Sequence, residues 1–337
     1  MHVSPTVWIV TCLVILGLFV FDFFAHVRVP HAPSIKESGF WSAFYITIAL
    51  IFGGFVWWKW GSTSGTEYYA GFVTEKALSV DNLFVFVIVM AKFAVPREYQ
   101  QKVLLLGIVM ALVMRGAFIA VGAAAISAYS WVFYLFGAFL IFTAIKLLRE
   151  SDHVVEAEEE RESRIQKFVK KVLRTSDNYD GDKLFTRENG KRLATPMLMV
   201  LIVIGFTDVL FALDSIPAIY GLTEEPYIVF TANAFALMGL RQLYFLLGGL
   251  LDKLVYLSFG LSFILGFIGV KLVLHALHEN TLPFINDGEH LSVPQISTPV
   301  SLSVIVGTLV ITTVASLLKT RSDERKAAPL PSDKSPE

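Results

Sequence analysis

Two stretches of this chain carry paired carboxylates at the same spacing. EKALSVDNLF places Glu75 and Asp81 six residues apart, and DVLFALDSIP places Asp208 and Asp214 six apart. In each, the second acid is followed by a small polar residue, Asn82 or Ser215. With Ser79 nearby, the set offers only oxygen donors. Carboxylate, carbonyl and water oxygens suit hard ions such as Mg, Ca or Mn, whereas soft metals want thiolate or imidazole. Neither stretch holds Cys or His, so zinc and copper are disfavoured. The candidate metal ligands are Glu75, Asp81, Asn82, Asp208, Asp214 and Ser215. Lys76, Arg115 and Arg241 have no lone pair to offer an ion and read as counter-charges or gates.

The elements that must hold these groups are membrane helices. The chain is 55% hydrophobic and 17% charged, too oily for an ordinary soluble domain. Nine runs near 6–26, 40–60, 68–92, 103–126, 129–149, 196–220, 227–251, 254–277 and 299–318 reach the length of about 20 apolar residues that a crossing needs. The runs are continuously apolar, which excludes a membrane barrel. The fold class is all-α, a polytopic bundle of nine transmembrane helices. With the N-terminus outside, 22 Lys and Arg fall in inner segments and Lys59 alone in an outer one. Positive charge collects on the cytoplasmic side, so the expected topology is N-out and C-in in a cell membrane. The first span has no basic segment before it and reads as a mature helix, not a signal peptide.

Spans 3–5 and 6–8 repeat one pattern. The acidic pairs align without gaps; Arg115 and Arg241 sit mid-span, each seven residues before a glycine (Gly122, Gly248). Lys146 and Lys271 follow in IKLL and VKLV. A unit of three helices enters the membrane from opposite sides in its two copies, so the repeats should be inverted, with a site between them near the midplane. The expected organisation is two N-terminal helices (1–65), a first repeat (66–149), a cytoplasmic loop (150–195) and a second repeat (196–277). An outer acidic and His-bearing loop (278–298), a ninth helix (299–318) and a disordered tail (319–337) complete it. In the cytoplasmic loop, Ile165, Phe168, Val169, Val172 and Leu173 form one apolar helical stripe, which either lies on the inner leaflet or packs on the bundle. Cys12 is the sole cysteine, so no intramolecular disulfide forms.

Each charge near a helix centre costs about 2.5–3.5 kcal/mol. Glu75, Lys76, Asp81, Arg115, Asp208, Asp214 and Arg241 therefore must face the bundle interior. Pure ion pairing is one solution, but it needs no repeated spacing and leaves one carboxylate unmatched. Six residues of helix separate two side chains by about 120°, so the pairs diverge unless the helix distorts. Pro217 is the expected distortion, since it cannot donate to the Leu213 carbonyl.

At EKALSVDNLFVF, GFTDVLFALDSIPAIY, LFTRENGKRLATPMLMVLIV and ANAFALMGLRQLYFLL, across residues 66–277, the sequence closely resembles the TerC/Alx family of LysE/TerC-type membrane proteins. That family was named for tellurium resistance and is associated with manganese export. The resemblance implies metal-binding roles at the positions matching its two acidic motifs, and it points to Mn²⁺ as transported ion. The expectation is export by alternating access with protons as the natural counter-ion. No enzyme activity is expected, because the spans hold no Ser/His or metal-His arrangement; no P-loop points to direct ATP use. No prosthetic group or nucleic acid is expected, only the divalent ion and the lipid bilayer. The alternatives are another ion, such as calcium or a tellurium oxyanion, and a membrane scaffold whose buried charges only specify packing.

Overall fold

The computed structural model describes residues 1, 3–27, 33–150, 175–176, 178–188, 191–247, 254–280, 282, 285–286 and 290–327, with backbone alone at 81, 84, 150, 188, 191, 247 and 323–327. The expected stripe at 165–173 lies outside the described residues. The chain folds as α1 (Pro5–Asp22), a π turn (Phe23–Val27), α2 (Ile35–Trp60), α3 (Ser62–Lys92), α4 (Arg97–Ala128) and α5 (Val132–Glu150). A hairpin of β1 (Phe185–Glu188) and β2 (Lys191–Ala194) leads into α6 (Pro196–Tyr220), α7 (Pro226–Leu237), α8 (Leu240–Leu247), α9 (Leu257–His278) and α10 (Thr298–Ala327).

Local chemistry sets the ends of these helices. Ser34 and Glu37 form a reciprocal capping box at the start of α2, which satisfies two orphan donors. Gly61, at φ +92°, turns α2 into α3, a conformation that glycine adopts without penalty. Pro5, Pro196 and Pro226 open α1, α6 and α7, where a missing N–H costs nothing.

Among the described residues, eight helical stretches, counting α7 and α8 as one, are long and apolar enough to cross a membrane. α3 has 31 residues, long enough to span, but it carries charge. Its place explains how it can: α3 runs through the middle of the bundle, with Tyr68, Ala70, Thr74, Glu75, Ser79 and Leu83 all fully buried. α1, α2 and α10 lie outside it and expose Ile9, Leu16, Ile51, Trp58, Val310 and Ile311, as lipid-facing helices do.

The packing of α3, α4 and α5 on the later helices is reciprocal. α3 packs on α7 while α4 packs on α6, and the third helices α5 and α9 pack on each other. Along α5 and α9 the two backbones touch. A Cβ at Gly137 would lie 2.9 Å from the Gly269 carbonyl oxygen, and one at Gly269 would lie 3.0 Å from that of Gly137.

The structure departs from the sequence reading in four places. The expected span 227–251 is broken: Met238 is extended (φ −60°, ψ 136°) and Gly239 is left-handed (φ +74°), so α7 stops and α8 starts anew. α6, by contrast, continues as helix through Pro217, which falls in its last turn. α10 continues to Ala327, past the expected end at 318. The segment before α6 contains the antiparallel hairpin, pairing Phe185 with Ala194 and Glu188 with Lys191.

Candidate functional site

Arg115, on α4, is fully buried in the bundle. Its Nη1 donates to Glu75 Oε1 on α3. Its Nη2 donates to Asp208 Oδ1 at 3.1 Å and its Nε to Oδ2 at 3.3 Å on α6. One guanidinium therefore holds one carboxylate from α3 and one from α6, the second in a two-bond fork. Ser79, one turn along α3, donates to Glu75 Oε1 at 3.1 Å. The other oxygen, Glu75 Oε2, is buried and has no partner. Thr74, Thr207, Ser215 and Asn233 also bury polar side-chain atoms without a partner, whereas nearly all such groups in folded proteins are satisfied.

The other expected ligands are placed as follows. Asp214, half-buried, accepts from Thr143 Oγ1 on α5 at 3.1 Å. Asn82 and Ser215 are buried. The side chain of Asp81 lies outside the described residues. Among the described residues, no three His, Cys, Asp or Glu side chains come together within reach of one metal ion. The structure thus joins Glu75 and Asp208 through Arg115 and sets Asp214 apart on the α5 side.

Lys76 and Arg241 do different work. Lys76 Nζ donates to the carbonyls of Ala236 (2.9 Å) and Met238 (3.3 Å), supplying donors to carbonyls that the α7 break leaves without helical partners. Arg241 does not join the central pair. Its Nη2 donates to Asp22 Oδ1 at 2.8 Å, an oxygen that also accepts from Tyr45 OH at 2.6 Å and Gln242 Nε2 at 3.2 Å. These groups line a small cavity with Met238 and Gly239. Sequence reasoning missed Asp22. The signal was a single acid in the apolar run LFVFDFF, and an ionisable residue inside a span merits attention by default.

Outside the bundle, Lys102 Nζ donates to Asp182 Oδ2 at 2.5 Å and ties the segment before the hairpin to the start of α4. That hydrogen bond holds the Asp182 carboxyl below the usual carboxylate range.

Fold and site together define a polytopic helical membrane protein with a buried, ion-paired carboxylate centre. The sequence pattern of the integral membrane protein TerC family matches residues 60–324. The chain belongs to that family. It is 50% identical over 328 residues to an uncharacterized membrane protein of Mycobacterium tuberculosis, covering 97% of this chain and 83% of that one. It is 39% identical over 318 residues to an uncharacterized membrane protein of Myxococcus xanthus, covering 94% of each. It is 35% identical over 320 residues to the "Putative membrane-bound redox modulator Alx" of Escherichia coli, covering 92% of this chain and 93% of that protein. No solved structure matches the chain significantly.

Proposed function

We propose that this protein carries a hard divalent cation, manganese(II) foremost, out of the cytoplasm by alternating access between two inverted repeats. The observation that carries this reading is the meeting of Glu75 and Asp208, one from each unit, deep in the bundle and around a single cation, Arg115. A guanidinium between two carboxylates marks a place where positive charge is stabilised. A divalent ion can compete for the same oxygens, because carboxylates are hard donors. Asp81, Asn82, Asp214 and Ser215, farther along the same two helices, form the rest of the candidate ligand set. Arg115 and Arg241 act as counter-charges that the ion displaces or passes, and Lys76 holds the broken helix. Protons replacing metal on the carboxylates provide the counter-flux. The strongly one-sided distribution of Lys and Arg supports an N-out, C-in orientation in the cell membrane.

A packing-only network is the second reading, favoured by the completeness of the Arg115 fork. Against it stands the unpartnered Glu75 Oε2, since a network kept for packing alone gains nothing from half-satisfied members. The relatives' redox name fits an indirect effect better than a thiol cycle, because the chain has one cysteine and an intramolecular disulfide needs two.

The test is ion flux into liposomes holding the purified protein, comparing Mn, Ca, Mg and Zn with and without a pH gradient. Mn²⁺ movement abolished by Asp208→Asn in a folded protein supports the proposal. Wild-type protein that moves none of the four ions overturns it.

A further inference from the structure

Asn233 on α7 is fully buried, and neither its amide nitrogen nor its amide oxygen has a hydrogen-bond partner. Burying an amide unpaired is unfavourable, so a position that keeps one points to a partner in another state of the protein.

The neighbours of α7 show where that amide faces. Val229, one turn before Asn233 on the same helical face, packs in a cluster with Ile119 of α4 and Ala212 and Ile216 of α6. α4 and α6 both run antiparallel to α7: Gly116 meets Phe230, Ile108 borders Leu237, and α6 turns directly into α7. One turn along α7 from Val229 therefore corresponds to one turn back along the other two helices. One turn back from Ile119 is Arg115, and one turn back from Ala212 is Asp208. α3 fixes the depth independently. Gly71 lies against Ala232 and Lys76 reaches Ala236, so Asn233 stands within a turn of Glu75.

From this placement we infer that Asn233 is a further ligand of the transported divalent cation, its Oδ1 joining Glu75 and Asp208 when Arg115 withdraws. This assignment rests on the cation-transport reading above. A neutral amide oxygen is a ligand that hard divalent ions accept. A neutral ligand also adds an oxygen donor without adding negative charge to a low-dielectric site already rich in carboxylates. The Nδ2 group can donate to the carboxylate oxygen that the ion leaves free, so both ends of the amide find partners in the loaded site.

The experiment compares wild type, Asn233→Leu and Asn233→Ala, purified and reconstituted, by KM for Mn²⁺ flux and by thermal stabilisation with Mn²⁺. Asn233→Leu removes both orphaned polar atoms and keeps the heavy-atom count and branching, so it should melt no lower than wild type without metal. Its KM should rise about tenfold or more, the loss expected when a charged partner forfeits one good interaction, and its Mn²⁺ stabilisation should weaken in parallel. If the Leu variant does not fold, the Ala variant decides on the same readouts. Wild-type KM and stabilisation in the deciding variant, or failure of both variants to fold, overturns the assignment of Asn233 and leaves the transport reading standing. A wild-type protein inert to Mn²⁺ in both assays brings down the transport reading itself.

Discussion

Arg241 reaches Asp22 across 219 residues of sequence, donating from Nη2 to Oδ1 at 2.8 Å. The contact joins α1 to the helix that restarts after the break at Gly239. It also answers why Arg241 does not mirror Arg115. Asp22 supplies the counter-charge that the central carboxylates give to Arg115 alone.

Breaking this pair from one side should be costly. Asp22→Leu leaves a buried guanidinium without a counter-charge and is expected to destabilise by about 3–5 kcal/mol. The double variant Asp22→Leu with Arg241→Met should recover most of that loss. Thermal unfolding in detergent measures the coupling, and simple additivity of the two losses would contradict the pairing.

Removing the central cation should expose the site to metal. Arg115→Met leaves Glu75 and Asp208 facing each other without neutralisation, again at roughly 3–5 kcal/mol in metal-free buffer. Mn²⁺ should then restore stability to a greater extent than it raises that of wild type, because it no longer competes with the guanidinium. Melting temperature as a function of Mn²⁺ concentration reads this directly. Equal metal responses in the two proteins would count against it.

The helix break should depend on one glycine and one lysine. Gly239→Ala forces a left-handed conformation on a residue with a Cβ, about 1–2 kcal/mol, and that Cβ would sit 3.0 Å from the Tyr45 Cβ. Lys76→Met strips a donor from the carbonyls of Ala236 and Met238, about 1–3 kcal/mol. Both should speed hydrogen exchange of backbone amides around 238–242 while leaving those of α5 and α9 unchanged.

Acid should loosen the segment leading to the hairpin. The Asp182 carboxyl is held below its ordinary range by Lys102, so its contribution is fully present above the unfolded value and disappears as pH falls through the depressed folded value. Limited proteolysis between 178 and 194 should therefore accelerate below the ordinary carboxylate range. Lys102→Ala should already be sensitive at neutral pH.

Membrane class and the positions of Glu75, Arg115 and Asp208 were readable from the chain because each leaves a one-dimensional trace: long apolar runs, and charges where charge is expensive. Asp22 leaves a fainter trace, a lone acid without a counterpart in the repeat, whose role appears only when Arg241 is brought to it. The break at Met238–Gly239 is hidden because the apolar pattern runs straight across it and a single glycine is compatible with helix; only the positive φ reveals it. Pro217 misleads in the opposite direction. Three residues from the helix end, it removes one hydrogen bond without stopping α6. The hairpin had a local signal, the Asn189-Gly190 dipeptide between two four-residue runs, which a reading by charge passes over. Asn233 carries no trace at all in composition or spacing, since a buried Asn is distinguished from an exposed one only by its surroundings.

The bare glycine contact between α5 and α9 fixes how those two helices are held lengthwise. The gap at Gly137 is filled by Val273 of α9 and the gap at Gly269 by Ile141 of α5, so each helix seats a side chain in the other at that height. Toward the two ends Ser262 donates to the Ala144 carbonyl at 2.5 Å and Tyr134 to Asn280 Oδ1 at 3.3 Å. The joint is keyed along its middle and pinned at its tips, so even a methyl group added at either glycine would have to drive the two rods apart.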